Sequence, residues 1–223
     1  MNIHSKISVV IPTLNAAATL SATLAALGTL DETVVADGGS EDGTADIARA
    51  AGAVMVFAEK GRGQQLAAGI KAATGEWLLL LHADTRLQPR WHDEAAAHIR
   101  DNHGKAAHFR FALASADPRA RRLERLVAWR CRVLALPYGD QGLLIHRDLL
   151  RRVGGIKPLP LMEDVDLIRR LGRARLVALN ASATTSAAKW ERDGWYRRSW
   201  RNLVCLSLWH LGVPPARIAR IYG

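Results

Sequence analysis

Cysteine is scarce: Cys131 and Cys205 are the only two in 223 residues. They are too few and too far apart for a zinc cluster or a disulfide framework, and they point to a reducing compartment. Long apolar runs are missing too. The longest, residues 77–81, falls far short of the roughly 20 residues that span a membrane. His4, Ser5, Lys6 and Ser8 break up any secretory leader at the start. No GxGxxG follows the first apolar run and no GxxxxGK[ST] occurs anywhere, which argues against a usual dinucleotide fold and against a P-loop ATPase. Zinc-finger spacing and an RRM-like pair of aromatic strands are also lacking.

Basic residues are plentiful. Lys and Arg number 31 against 21 Asp and Glu, a net charge of +10. Net charge speaks to partners rather than to fold. The arginines sit in two blocks, one over 119–132 and one over 189–220, whereas the first half is nearly balanced. Nucleic acid, a diphosphate ligand, an anionic membrane or a plain solvated face all fit such a distribution. Half the residues are apolar (49%), so a chain of this length can bury roughly 70% of its extended surface.

Along the chain, residues 7–11 (ISVVI) read as a buried strand stopped by Pro12, and Asn15 as the cap of a helix carrying Leu20, Leu24 and Leu27. Strands over 32–36, 54–57 and 77–81 alternate with helices over 44–51 and 64–73. That alternation predicts an α/β fold with a mostly parallel central sheet and helices on both faces. After His82-Ala83-Asp84-Thr85 the pattern is more mixed. Helices are expected over 89–103, from Pro118, over 163–171 and over 194–211, and strands over 142–146, 175–179 and 106–113, the last half-buried with His108 and Arg110 on its open face and Phe109 and Phe111 on the other. No repeat or linker interrupts this, so residues 1–223 are expected to form one domain, 1–85 binding a nucleotide and 86–223 an acceptor.

Ligands of open parallel sheets bind beyond the carboxyl ends of the strands. Pro12-Thr13-Leu14-Asn15, Asp37-Gly38-Gly39-Ser40 and His82-Ala83-Asp84-Thr85 fall there, and Gly61-Arg62-Gly63-Gln64-Gln65 opens a helix nearby. Asp37 offers acceptors to a ring N–H or ribose hydroxyl, or is simply a turn residue. Asp84 ends the most apolar strand, where a carboxylate needs a donor or a metal. His82 is a second metal ligand or a core-edge histidine. Glu163-Asp164 opens a helix; an Asp there can take a proton from a hydroxyl, or can serve the helix dipole alone.

Together these motifs resemble the inverting family 2 glycosyltransferases of GT-A fold, over nearly the whole chain. The phrases that carry the resemblance are Ser8 to Asn15, Asp37 to Thr44, Trp77 to Thr85 and Leu161 to Leu167. Gly61 to Gln65, Gly139 to Gly142 and Pro160 to Asp164 are similar to a bacterial subgroup of arsenosugar-biosynthesis type. The resemblance implies transfer of a sugar from a nucleotide diphosphate sugar to an acceptor hydroxyl. It assigns Pro12, Thr13 and Asn15 to base and ribose, Asp37 with Gly38 to the base, and Arg62 and Gln65 to the nucleotide region. Asp140 and Gln141 would meet the sugar or acceptor. Asp84, with His82 where the family has its first Asp, would hold Mn2+ or Mg2+. Asp164 would be the catalytic base, with Glu163 beside it. The basic tail resembles the region that holds the leaving diphosphate in some relatives, without the QxxRW phrase of processive synthases.

Two rivals stand beside this reading. A sugar-phosphate nucleotidyltransferase usually opens on a glycine-rich Arg/Lys loop, which Pro12-Thr13-Leu14-Asn15 does not resemble. A non-catalytic nucleic-acid binder would show salt-sensitive binding to generic DNA or RNA; no specific nucleic acid is expected. The tail helix, with Leu203, Leu206, Leu208 and Leu211 among Trp and Arg, reads either as interfacial or as packed on the core or on a second subunit. The expected acceptor is a small molecule or a lipid-linked one, and the expected location is the cytoplasm or the inner membrane face.

Overall fold

The computed structural model describes residues 5–222. Its frame is an eight-stranded sheet. In chain order the strands are β1 Ile7–Thr13, β2 Glu32–Asp37, β3 Val54–Phe57, β4 Trp77–Leu80, β5 Thr85–Leu87, β6 Ala106–Ala114, β7 Leu143–His146 and β8 Leu176–Ser186. They lie side by side as β3-β2-β1-β4-β7-β6-β8-β5. The first four are parallel throughout. β7 opposes both of its neighbours and β5 opposes β8, while β6 and β8 are parallel. Six strands therefore run one way and two the other, a mostly parallel sheet.

Strand residues alternate between two cores. Val9, Ile11, Trp77 and Leu79 pack on one face with Leu20 and Leu27 of α1 (Ala17–Leu27) and Trp91 of α4 (Trp91–Asp101). Val10, Val34, Leu78 and Leu80 pack on the other with Leu66 of α3 (Arg62–Ala72) and Leu167 and Ile168 of α7 (Glu163–Leu171). Both faces are covered, which is why these strands are apolar without alternation. The other helices are α2 Thr44–Ala50, α5 Pro118–Leu134, α6 Arg147–Arg152, α8 Ala188–Asp193, α9 Trp195–His210 and α10 Pro215–Tyr222.

Three expectations are corrected. Asn15 does not cap α1: the cap position is Ala16, and the first amides donate to Thr44 Oγ1 and Asp42 Oδ2 from the turn after β2. Asn15 itself takes a positive φ of 50°, and its side-chain oxygen accepts from Glu41 N. The strand expected over 175–179 continues to Ser186, because its second half pairs with β5 as well as β6. His108, expected on an open face of β6, is buried between neighbouring strands, and exposure begins at Arg110. The long tail helix expected over 194–211 is α9, with α8 before it and α10 after it. Pro118 opens α5 as expected, with the Asp117 carboxylate accepting from Arg119 N.

Candidate active site

Parallel pairing brings the carboxyl ends of β1, β2 and β4 to one edge of the sheet. Thr13 stands opposite Asp37 in the register. The Asp37 carboxylate accepts from Thr13 Oγ1 at 2.8 Å and Ser40 Oγ at 2.6 Å on one oxygen, and from Gly39 N at 3.0 Å and Ser40 N at 2.8 Å on the other. Burial pushes its pKa up, but the bonds from Ser40, Thr13 and Gly39 outweigh burial and hold the carboxyl below its ordinary value. A carboxylate has about four lone-pair sites, so Asp37 could accept from a ligand only by giving one up. Gln65 is equally occupied: its amide donates to the carbonyls of Thr13 and Ala36, tying β1 to β2. Gly38 leaves room for it, since a Cβ there would lie 3.1 Å from the Gln65 amide.

Asp84 and His82 follow β4. Thr23 Oγ1 of α1 donates to Ala83 O, Ser186 N donates to Asp84 O, and Thr185 Oγ1 donates to Asp84 Oδ1 at 3.2 Å. The turn is thus clamped between α1 and the end of β8. Burial, with Arg62 and Lys189 adding to it, holds His82 well below its ordinary pKa, so its imidazole is neutral.

A third unit is assembled from distant segments. Arg62 Nε donates to Glu163 Oε1 at 2.7 Å, and Arg62 Nη2 lies 3.5 Å from Asp164 Oδ2. Gly139 N donates to Asp164 Oδ2 at 2.7 Å, and Val165 N donates to Oδ1 at 2.8 Å. Three of about four lone-pair sites are taken, which leaves Asp164 one open acceptor. Gly139 sits in the middle: a Cβ on it would lie 2.6 Å from His82 Nε2 and 3.0 Å from both Arg62 Nη2 and Asp164 Oδ2. Glu163 is fully buried; burial raises its pKa against the pull of Arg62, and Asp164 adds to the rise.

Arg62, His82, Asp84, Asp140 and Asp164 line one cleft of about 710 Å³. Pro12, Thr13, Asn15, Asp37, Gly38 and Gln65 do not line it, and Gln141 is turned inward, donating to Phe109 O. Asp140 is pushed up to about 6 by burial, opposed by Arg130 and Arg62 and reinforced by Asp164 and Asp84. Its Oδ1 is buried without a hydrogen-bond partner among the described residues. The cleft also holds groups that the motifs did not single out. Thr185 and Tyr138 line it, Tyr138 under the Arg130 guanidinium with 3.9 Å to the ring centroid. Arg198 lines it too, 4% exposed with Nε unpartnered among the described residues. Only its place in a basic block marked Arg198 in the sequence.

The model of the family described as glycosyl transferase family 2 matches residues 8–155. The chain belongs to that family. This glycosyltransferase matches no curated protein. Among solved structures it is similar to glucosyl-3-phosphoglycerate synthase from Mycobacterium tuberculosis, in complex with Mn2+, uridine diphosphate and glucosyl-3-phosphoglycerate. Identity is 22% and the TM-score 0.57, covering 82% of this chain and 71% of that one. It is also similar to S. aureus TarS 1–349 in complex with UDP-GlcNAc, with 20% identity, a TM-score of 0.64, and 81% and 58% coverage. The transferase thus spans little more than half of that chain. These likenesses establish the GT-A fold. Glu163, Asp164, Thr185 and Arg198 all lie beyond the matched residues 8–155.

Whether the cleft suits a divalent cation can be tested on its donors. Among the described residues no three His, Cys, Asp or Glu side chains form a ready cage. Magnesium-type ions need only one or two carboxylates when substrate phosphates and water supply the rest. Asp84, a neutral His82 and an Asp140 carboxyl pushed up by burial and by Asp164 and Asp84 fit that mode.

Proposed function

We propose that this glycosyltransferase moves a sugar from a nucleoside diphosphate sugar to an acceptor hydroxyl, with inversion at the anomeric carbon and Asp164 as the base. The observation that carries the reading is the open acceptor on Asp164. Asp164 lines the cleft, and its occupied lone pairs hold the carboxylate in place through Gly139, Val165 and Arg62. A base must lie within hydrogen-bond reach of the proton it takes, and a carboxylate fixed on three sides meets a hydroxyl in one orientation. Glu163 anchors Arg62 and so positions Asp164 indirectly.

The two similar structures, in complex with uridine diphosphate and with UDP-GlcNAc, support a nucleoside diphosphate sugar donor. On this reading Pro12, Thr13, Asn15, Asp37, Gly38 and Gln65 shape the sheet edge on which the nucleoside lies. Asp140 borders the sugar, Gln141 supports it from behind, and Arg198 and Lys189 face the leaving diphosphate. Asp84, with His82, would hold Mn2+ or Mg2+, which when bound offsets charge developing on that diphosphate. Residues 1–85 then serve the donor and 86–223 the acceptor, within one domain. Gly61 to Gln65, Gly139 to Gly142 and Pro160 to Asp164 meet in the Arg62–Glu163–Asp164–Gly139 unit; the wording of these three phrases is the ground on which we propose the arsenosugar-biosynthesis-type subgroup. We propose the cytoplasm or the inner membrane face as its location.

A panel of nucleotide sugars read by thermal shift, with and without Mn2+, identifies the donor. Asp164→Asn should then abolish transfer and leave donor binding intact by calorimetry. Normal donor affinity with undiminished turnover would remove Asp164 from the role of base. Release of pyrophosphate in place of nucleoside diphosphate would support a nucleotidyltransferase instead.

A further inference from the structure

The cleft has a polar floor and an apolar mouth. At the floor lie Arg62, Asp84, Asp140 and Asp164. At the mouth, α5 presents Leu126 and Trp129, 59% and 54% exposed, and α9 presents Tyr196, Trp200 and Leu203, 73%, 67% and 52% exposed. The spacings of three and four residues put each set on one face of its helix. Large apolar side chains held in water on two walls of one cleft are unusual for a monomer surface, and such patches mark interaction sites.

The helix faces beside this mouth are cationic. On α5, Arg122, Arg125 and Arg132 flank the apolar stripe; on α9, Arg197 does so. All four are exposed, and none forms an ion pair with another described residue. Neither α9 nor α10 contains an acidic residue. Tryptophan and leucine ringed by arginine is the composition of a membrane-interface element, the rings at headgroup depth and the cations against anionic lipid. A two-fold dimer would instead set these arginines against their own copies, like charge against like.

We propose that the α5–α9 cleft takes the apolar chain of a membrane-borne acceptor, and that the arginines beside it seat the protein on an anionic bilayer. The proposal rests on the transferase reading for the word acceptor only. The hydroxyl-bearing end reaches Asp164 at the floor, and the chain leaves through the mouth into the lipid.

Sedimentation with vesicles of phosphatidylcholine and phosphatidylglycerol (3:1), against pure phosphatidylcholine, tests this. Binding is expected to the anionic vesicles and to fall with added salt. Arg122→Gln with Arg125→Gln should weaken it by about fivefold per arginine removed. Trp129→Ser with Trp200→Ser should weaken it at least tenfold and leave the thermal midpoint unchanged, because both side chains are exposed. Brominated lipid should quench wild-type tryptophan fluorescence more than that of the Trp129/Trp200 variant. Partition that is absent, or unaffected by either pair of substitutions, would overturn the proposal. So would a stable dimer that the same tryptophan substitutions dissolve. Thermal shift by nucleotide sugars is scored separately: its absence would overturn the transferase reading and leave vesicle binding as it stands.

Discussion

Removing Arg62 should strand Glu163. The guanidinium and carboxylate meet at 2.7 Å, the Glu163 side chain is fully buried and that of Arg62 is 31% exposed. Two unit charges at that distance attract by about 6 kcal/mol at an effective dielectric of about 20. Desolvation offsets much of this, and breaking a buried pair from one side typically costs about 3–5 kcal/mol. Solvent at Arg62 favours the lower end, so Arg62→Ala is expected to lose about 3 kcal/mol. For a chain of this size each kcal/mol moves the midpoint by about 2–4 °C, a drop of about 6–12 °C in calorimetry. Adding Glu163→Gln removes the stranded charge, so the double variant should be more stable than Arg62→Ala alone. The pH dependence has a definite sign. Burial holds the folded pKa of Glu163 above its ordinary value of 4.5. A carboxyl raised in this way costs stability above that value and nothing below it. Without Arg62 its pKa rises further, so the deficit of Arg62→Ala should shrink as the pH is lowered towards 4.5. Additive effects of the two substitutions, or a deficit that grows on acidification, would refute the reasoning.

Gly139→Ala should cut turnover by about a hundredfold, because a Cβ 2.6 Å from His82 and 3.0 Å from Asp164 displaces the groups that Gly139 spaces, and misplacement of about 1 Å has that effect. Gly104→Ala, with nothing within 4 Å, is the control and should be silent in the same steady-state assay. Asp84→Ala should remove the metal-dependent part of donor affinity; calorimetry giving the same affinity with and without EDTA in both proteins would count against it. Ser40→Ala removes a 2.6 Å bond to Asp37 and should destabilise by about 1.5 kcal/mol. Since the folded pKa of Asp37 lies below 3.8, its contribution is full above that value and is lost as pH falls through the folded one. Acid unfolding of Ser40→Ala, followed by circular dichroism, should therefore begin at higher pH.

Much of the front half was legible because its signals are local. Residues 7–11, 32–36, 54–57 and 77–81 are short apolar runs bounded by turn residues, and each is a strand within a residue or two. The back half was less so: β5 is three residues long, and β8 reaches Ser186 because β5 and β6 supply partners from other parts of the chain. Asn15 failed as a cap for the same reason, since Asp42 and Thr44 reach the α1 amides across space.

The sequence by itself determined the apolar periodicity, hence the layered α/β frame, and the polar clusters at strand ends, hence the family and the edge where chemistry occurs. Tertiary structure alone decided how those clusters divide. Asp37 and Asp164 look alike as strand-end and helix-start carboxylates, yet Asp37 has its acceptors filled by Thr13 of β1 and by its own turn, and Asp164, which lines the cleft, keeps one open. Lone-pair occupancy depends on distances between residues such as Gly139 and Asp164, 25 apart in sequence and 2.7 Å apart in space. No periodicity encodes that distance; it follows from packing of the whole sheet and its helices.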